Sequence, residues 1–119
     1  MSLSRTLLPS VSRTTTQTSA DQLSGGATAI VVTVDMTVVG TASITFSLDG
    51  KDLISGKYFN ILTGAAIVTN STNVYKIGKG LTAAANAVAN DELPSTFRIV
   101  ITANNANAGT YSVGYQLLP

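Results

Sequence analysis

Cysteine, histidine and tryptophan are all missing from this chain of 119 residues. Without cysteine there can be no disulfide and no thiolate metal site. Without histidine the usual general base at neutral pH is gone. Charge is scarce too: charged residues make up 11% of the sequence, against about 25% in an average soluble protein. Seven basic and six acidic residues leave a net charge of +1, so little charge opposes self-association. Arg5, Arg13, Lys51, Lys57, Lys76, Lys79 and Arg98 are scattered along the chain, and no basic stripe of the kind that marks a nucleic-acid partner is formed. No run of about 18 apolar residues exists to cross a membrane. Met1–Arg5 lacks the apolar core of a signal peptide. The chain is therefore expected to be made in the cytoplasm and to stay there unless something larger carries it out.

Serine, threonine, asparagine and alanine stand where lysine and glutamate usually would, giving a surface that is polar without being charged. Such a surface suits tight contacts between subunits. The length allows one domain with a real core and leaves no room for a second.

The clearest pattern runs from Thr28 to Asp49. Ile30, Val32, Val34, Met36 and Val38 alternate with Thr33, Asp35 and Thr37; beyond Gly40, Ala42, Ile44, Phe46 and Leu48 alternate with Ser43, Thr45, Ser47 and Asp49. Period two means half-buried β-strands. If the two strands form a hairpin, only a three-residue loop, Val39-Gly40-Thr41, sets apolar against apolar: Val38 against Ala42, Met36 against Ile44, Val34 against Phe46 and Val32 against Leu48. Gly40 would then take a positive φ. If the strands lie in facing sheets instead, the same residues still share one core.

The same alternation returns near the end of the chain. Phe97, Ile99, Ile101 and Ala103 face inward, as do Tyr111, Val113, Tyr115 and Leu117 across the Asn-rich loop 104–110. Paired as a hairpin, Ala103 would oppose Tyr111 and Phe97 would oppose Leu117. Between these two regions, Tyr58–Leu62, Ala65–Thr69 and Val74–Ile77 read as short strands, with Asn70–Asn73 as a turn. The alanine-rich stretch Leu81–Asn90 predicts a helical turn or two with Thr82 as N-cap, too short to stand alone and so laid against the sandwich. The expected fold is all-β, an antiparallel β-sandwich of jelly-roll or Ig-like type with about seven or eight strands.

Residues 1–20 read differently from the domain at 21–119. Leu3, Leu7, Leu8 and Val11 have no regular spacing, Pro9 interrupts, and a Ser/Thr-rich run follows. The segment is either a disordered tail or an arm that reaches a neighbouring subunit. In the second case Leu3, Leu7, Leu8 and Arg13 are candidate contacts, and β-branched Thr14, Thr15 and Thr16 could add a strand to an exposed edge.

Chemistry finds little to work with. Acid–base catalysis would fall to six carboxylates and four tyrosines. Asp49 with Asp52, and Asp91 with Glu92, lie on turns without the acidic spacing of a calcium loop. Gly78-Lys79-Gly80 lacks the spacing of a phosphate loop. Lys51, Lys57, Lys76 and Lys79 read as a solvated rim. Tyr58, Tyr75, Tyr111 and Tyr115 could form a sugar-stacking platform, but Tyr111 and Tyr115 already share the apolar stripe. No catalytic residue, metal site or cofactor is expected, and no small-molecule substrate.

Four stretches carry a resemblance: Gly50-Lys51-Asp52, Ser55-Gly56-Lys57-Tyr58, Leu93-Pro94-Ser95-Thr96-Phe97-Arg98-Ile99 and Thr110-Tyr111-Ser112-Val113-Gly114. Over roughly Thr28 to Leu118 the chain resembles small β-sandwich virion proteins of tailed bacteriophages, several of which decorate or cement the capsid, often as trimers. The resemblance implies a structural role in the virion, with the major capsid protein or other virion proteins as partners and self-association as a homotrimer. Two alternatives remain open: a head-fibre, neck or tail component, and a carbohydrate- or cell-surface-binding module.

Overall fold

The computed structural model describes residues 3–119. Ten strands and no helix make up these residues. One sheet, here sheet A, has the order β1 (Leu3–Arg13), β10 (Gly109–Leu118), β4 (Ala29–Val38), β7 (Ser71–Gly78), β8 (Val88–Ala89). The other, sheet B, runs β2 (Gln17–Thr18), β9 (Thr96–Ala103), β5 (Ile44–Lys51), β6 (Tyr58–Thr63), with β3 (Gln22–Leu23) also on β9. The fold is the all-β sandwich the alternation calls for. Three of its strands have only two residues each, and these, with β1, are the ones the sequence leaves out, while the strand expected at Ala65–Thr69 is not among the ten.

The core lies between the sheets. Ile30, Val32, Val34 and Met36 of β4 meet Ile44, Phe46 and Leu48 of β5; Phe97, Ile99 and Ile101 of β9 meet Tyr111, Val113 and Tyr115 of β10, and all thirteen side chains are buried. Aromatic pairs join the layers. Phe46 of sheet B stacks on Tyr75 of sheet A with ring centroids 4.2 Å apart, and Phe97 meets Tyr115 edge-on at 5.6 Å.

The two hairpins do not form. β4 pairs with β10 and β7, while β5 pairs with β9 and β6, so β4 and β5 face each other across the core. The facing-sheet arrangement also holds for β9 and β10. Alternation fixes which face of a strand is buried but not which strand lies beside it, so both arrangements satisfy it equally. The chain crosses between layers at residues 39–43, where Val39 and Ala42 turn inward and the Ala42 N–H donates to the Val39 carbonyl at 2.8 Å. Gly40 has φ +53° as expected, in a crossing and not in a hairpin. Val38, expected inside, is exposed where β4 ends.

Three smaller expectations also change. The alanine-rich stretch forms no helix: Ala87 accepts a hydrogen bond from the Lys76 N–H at 2.9 Å, the Val88 N–H donates to Ala84, and Asn86 sits at φ +60°. Backbone groups too few to sustain a free helix are satisfied by extending sheet A instead. Of the strand expected at Ala65–Thr69 only a bridge between Ile67 and Ile44 exists. Most of the turn expected at Asn70–Asn73 belongs to β7; Asn70 instead accepts the Val39 N–H at 2.8 Å and ties the interlayer crossing down.

Candidate assembly surfaces

Among the candidate contact residues, Leu3, Leu7, Leu8 and Arg13 belong to β1, an eleven-residue strand antiparallel to β10 of the same chain. Leu7 and Leu8 are partly buried against the core and Leu3 is exposed. The pairing shifts register between Thr6 and Leu8 and again between Leu8 and Val11; such irregularity and Pro9 blunt an edge against indiscriminate pairing. Arg13 fastens the far end: its guanidinium donates to the carbonyls of Pro9, Val11 and Tyr111 and lies 4.8 Å from the Tyr111 ring centroid. Thr14, Thr15 and Thr16 then carry the chain from sheet A to sheet B, where the Thr16 hydroxyl accepts the Ala103 N–H at 3.0 Å. The segment read as an arm thus closes one edge of its own sandwich.

Polar groups gather on the outer face of sheet B. Arg98 lies 3.6 Å from the centre of the Tyr58 ring and pairs with Asp49 at 3.1 Å. Lys51, 5.6 Å from the same ring, pairs with Asp21 at 2.7 Å, and the Tyr58 hydroxyl donates to Asp21. Hydrogen bonds from Lys51 and then Tyr58 hold the Asp21 carboxyl below the usual value, and Asp21 pushes Lys51 up. Cations thus cover Tyr58. Tyr75, Tyr111 and Tyr115 are buried, and burial raises each of their pKa values. Three of the four tyrosines thus belong to the core, and the fourth, Tyr58, carries Arg98 against its ring. The basic rim is neutralised in part, since Lys51 pairs with Asp21 and Lys79 with Glu92 at 3.6 Å. Among the described residues no group of three or more acidic side chains is placed to hold a metal ion.

The most exposed apolar side chain, Ile54, sits elsewhere, at the end of the sandwich where β5 runs into β6. In the turn 52–57, Ile54 is 98% and Leu53 66% exposed. Asp52 pins this turn: its carboxylate accepts the Ile54 N–H at 3.2 Å and the Ser55 hydroxyl at 2.7 Å, while its backbone bonds to Lys57 and Gly56 at 2.8 Å each. Those bonds hold the Asp52 carboxyl below its usual value, the Ser55 hydroxyl acting most strongly. Gly56 adopts φ +74°, which only glycine tolerates freely. The sequence marks this stretch as a turn through Asp49-Gly50 and Ser55-Gly56; the signal passed over is an adjacent aliphatic pair inside it. A shallow groove of about 300 Å³ lies at the same end, lined by Leu3, Arg5, Leu23, Gly25, Gly26 and Leu117 among others.

No protein-family model matches the chain, and no curated protein does. Among solved structures, the crystal structure of the SPBc2 prophage-derived protein YomS is similar: the match covers 98% of this chain and 92% of that one, at 10% identity and a TM-score of 0.59. At that identity the likeness is one of fold, and the two proteins share this sandwich over nearly their whole lengths.

Proposed function

We propose that the protein is a structural component of a tailed-bacteriophage particle, acting as a decoration or cement protein that bridges major capsid subunits. The observation that carries the reading is the sandwich shared, over 98% of the chain, with a prophage-derived protein. Two features of this molecule support it. Its polar side chains are spent on one another, as in the Asp21–Lys51 and Asp49–Arg98 pairs, which suits a structural and not a catalytic role. Its surface is poor in charge and carries apolar residues on a pinned turn, the composition of a contact surface. The mechanism is mechanical: a rigid body buries surface against several shell subunits, and each contact raises the free energy needed to separate them. A standard contact buries about 1,200–2,000 Å², and several contacts per oligomer reinforce one another through effective concentration.

The test is co-sedimentation of the purified protein with expanded, undecorated capsids of the source phage, alongside a glycan array. Saturable binding to capsids that raises their resistance to heat is the expected result. Glycan binding without capsid binding would overturn the reading. Leu3–Arg13 form an edge strand as well as holding candidate contacts, so capsid occupancy that survives deletion of the residues before Ala20 would remove that segment from the docking surface.

A further inference from the structure

We propose that the open edge of β7, from Ser71 to Tyr75, is a docking site for an extended segment of a partner protein, which would add a strand to sheet A. β8 covers β7 at Lys76 and Ile77 only. The Lys76 N–H donates to the Ala87 carbonyl at 2.9 Å, so Lys76 turns its backbone groups away from β4. In an antiparallel ladder this direction alternates along the strand, and Val74 and Thr72 therefore turn theirs the same way. Their N–H and C=O groups find no partner among the hydrogen bonds of the described residues. The two residues lie about 7 Å apart, the repeat of a strand's own donors and acceptors.

Asn86 explains why the cover stops there. Its backbone takes φ +60°, a conformation asparagine tolerates better than most residues. The N–H groups of Ala87 and Val88 both donate to the Ala84 carbonyl, at 3.1 and 2.9 Å. The chain thus turns back on itself just before β8 and leaves the first part of β7 bare.

Three observations give the occupant. First, a row of alternating backbone donors and acceptors is matched along its length by another extended backbone. Second, this edge is unprotected. Ser71-Thr72-Asn73-Val74-Tyr75 holds no proline, glycine or charge and pairs with β4 without a register shift, whereas sheets normally blunt an edge that is to stay unpaired. The other outer strands are blunted: β1 carries Pro9 and two register shifts, β6 shifts against β5, and β2 and β3 have two residues each. Those same devices make them poor strands to offer a second copy, so the segment comes from a different protein. Third, there is room. A groove of about 290 Å³ runs beside the edge, between Val74 and Tyr75 on one side and Ala65, Ala66 and Ile67 on the other. Its walls carry no charged side chain, which fits a segment whose inward side chains are small and uncharged, such as alanine, valine or threonine.

The site does not rest on the capsid reading. It is read from peptides bound by the free protein, whereas the capsid role is read from binding to shells, so one can fail without the other.

The test uses the full chain and a displayed library of random peptides of about ten residues, enough to span the edge. Hydrogen exchange of the free protein comes first: the Thr72 and Val74 amides are expected to exchange fast and those of Asn73 and Tyr75, bonded to β4, slowly. Peptides enriched on wild type are expected to alternate small apolar with polar residues and to slow exchange at Thr72 and Val74. Two variants then locate the binding. Val74→Pro removes one outward N–H and leaves the ladder to β4 intact, and Ala66→Arg fills the groove from an exposed position. Melting temperatures are compared beforehand; if Val74→Pro does not fold, Ala66→Arg decides. Each folded variant is expected to weaken the selected peptides at least about tenfold. The proposal is overturned if Thr72 and Val74 are protected in the free protein, if no alternating peptide is enriched, or if enriched peptides bind the variants as they bind wild type. Protection at Thr72 and Val74 that grows with protein concentration alone would make a second copy the occupant and overturn the assignment to a partner protein.

Discussion

The ring of Phe46 lies on that of Tyr75 with centroids 4.2 Å apart and planes inclined by only 12°, one residue from each sheet. Phe46 is fully buried and Tyr75 almost so. Truncation of Phe46 to alanine should cost about 3–5 kcal/mol, through lost burial and the cavity left between the layers. Phe97→Ala, which removes the edge-on partner of Tyr115, should cost a similar amount. Urea denaturation of each variant against wild type measures it.

Gly64 exists where it does because of that stack. A Cβ there would stand 2.6 Å from Cε1 of Tyr75 and 3.0 Å from its hydroxyl, and the ring is stacked on Phe46. Gly64→Ala should therefore destabilise by about 1–3 kcal/mol, the usual range for overpacking. In a Tyr75→Leu background most of that cost should vanish. Equal costs in both backgrounds, in a double-mutant cycle, would rule out the ring as the cause.

The Asp21–Lys51 pair predicts a pH dependence of defined sign. Asp21 has a lowered folded pKa, with Lys51 and then Tyr58 as the main causes. Its contribution is fully present above the ordinary carboxyl value of 3.8 and is lost as pH falls through the lowered folded value. Lys51 has a raised pKa, so its contribution is present below 10.5 and is lost as pH rises beyond it. Stability curves of wild type and Asp21→Asn should differ at neutral pH and converge in acid. Both side chains reach solvent, so added salt should shrink the difference.

Arg13 ties the end of β1 to β10. Arg13→Ala removes its bonds to three backbone carbonyls and its place over Tyr111, a loss of about 1 kcal/mol. That loss should appear locally: hydrogen exchange should speed up at β1 amides while the amides of β4 and β5 keep their protection. Uniform acceleration across both sheets would count against β1 as a separately fraying edge.

Much of this molecule was legible before any coordinates. Alternation at Ile30–Met36, Ile44–Leu48, Phe97–Ile101 and Tyr111–Tyr115 named side chains that are all buried, because period two states which face of a strand avoids water wherever that strand is placed. The same signal could not say which strand lies beside which. Hairpins and facing layers bury identical residues, and the choice fell to long-range pairings such as Ile30 with Leu117 and Leu48 with Ile99. Nor could spacing join Asp21 to Lys51 or Arg98 to Tyr58, since only the assembled outer face of sheet B brings them together.

The sequence by itself determined the sandwich and most of its inward faces, because these follow from a local period; the positive φ at Gly40 was expected for a hairpin and is found in a crossing between layers. Only the tertiary structure decided that Leu3–Arg13 closes the edge of sheet A, that Tyr58 is capped by cations, and that Leu53 and Ile54 are held in water. The first two outcomes depend on contacts between residues far apart in the sequence, and the third on which side chains the folded turn 52–57 leaves uncovered.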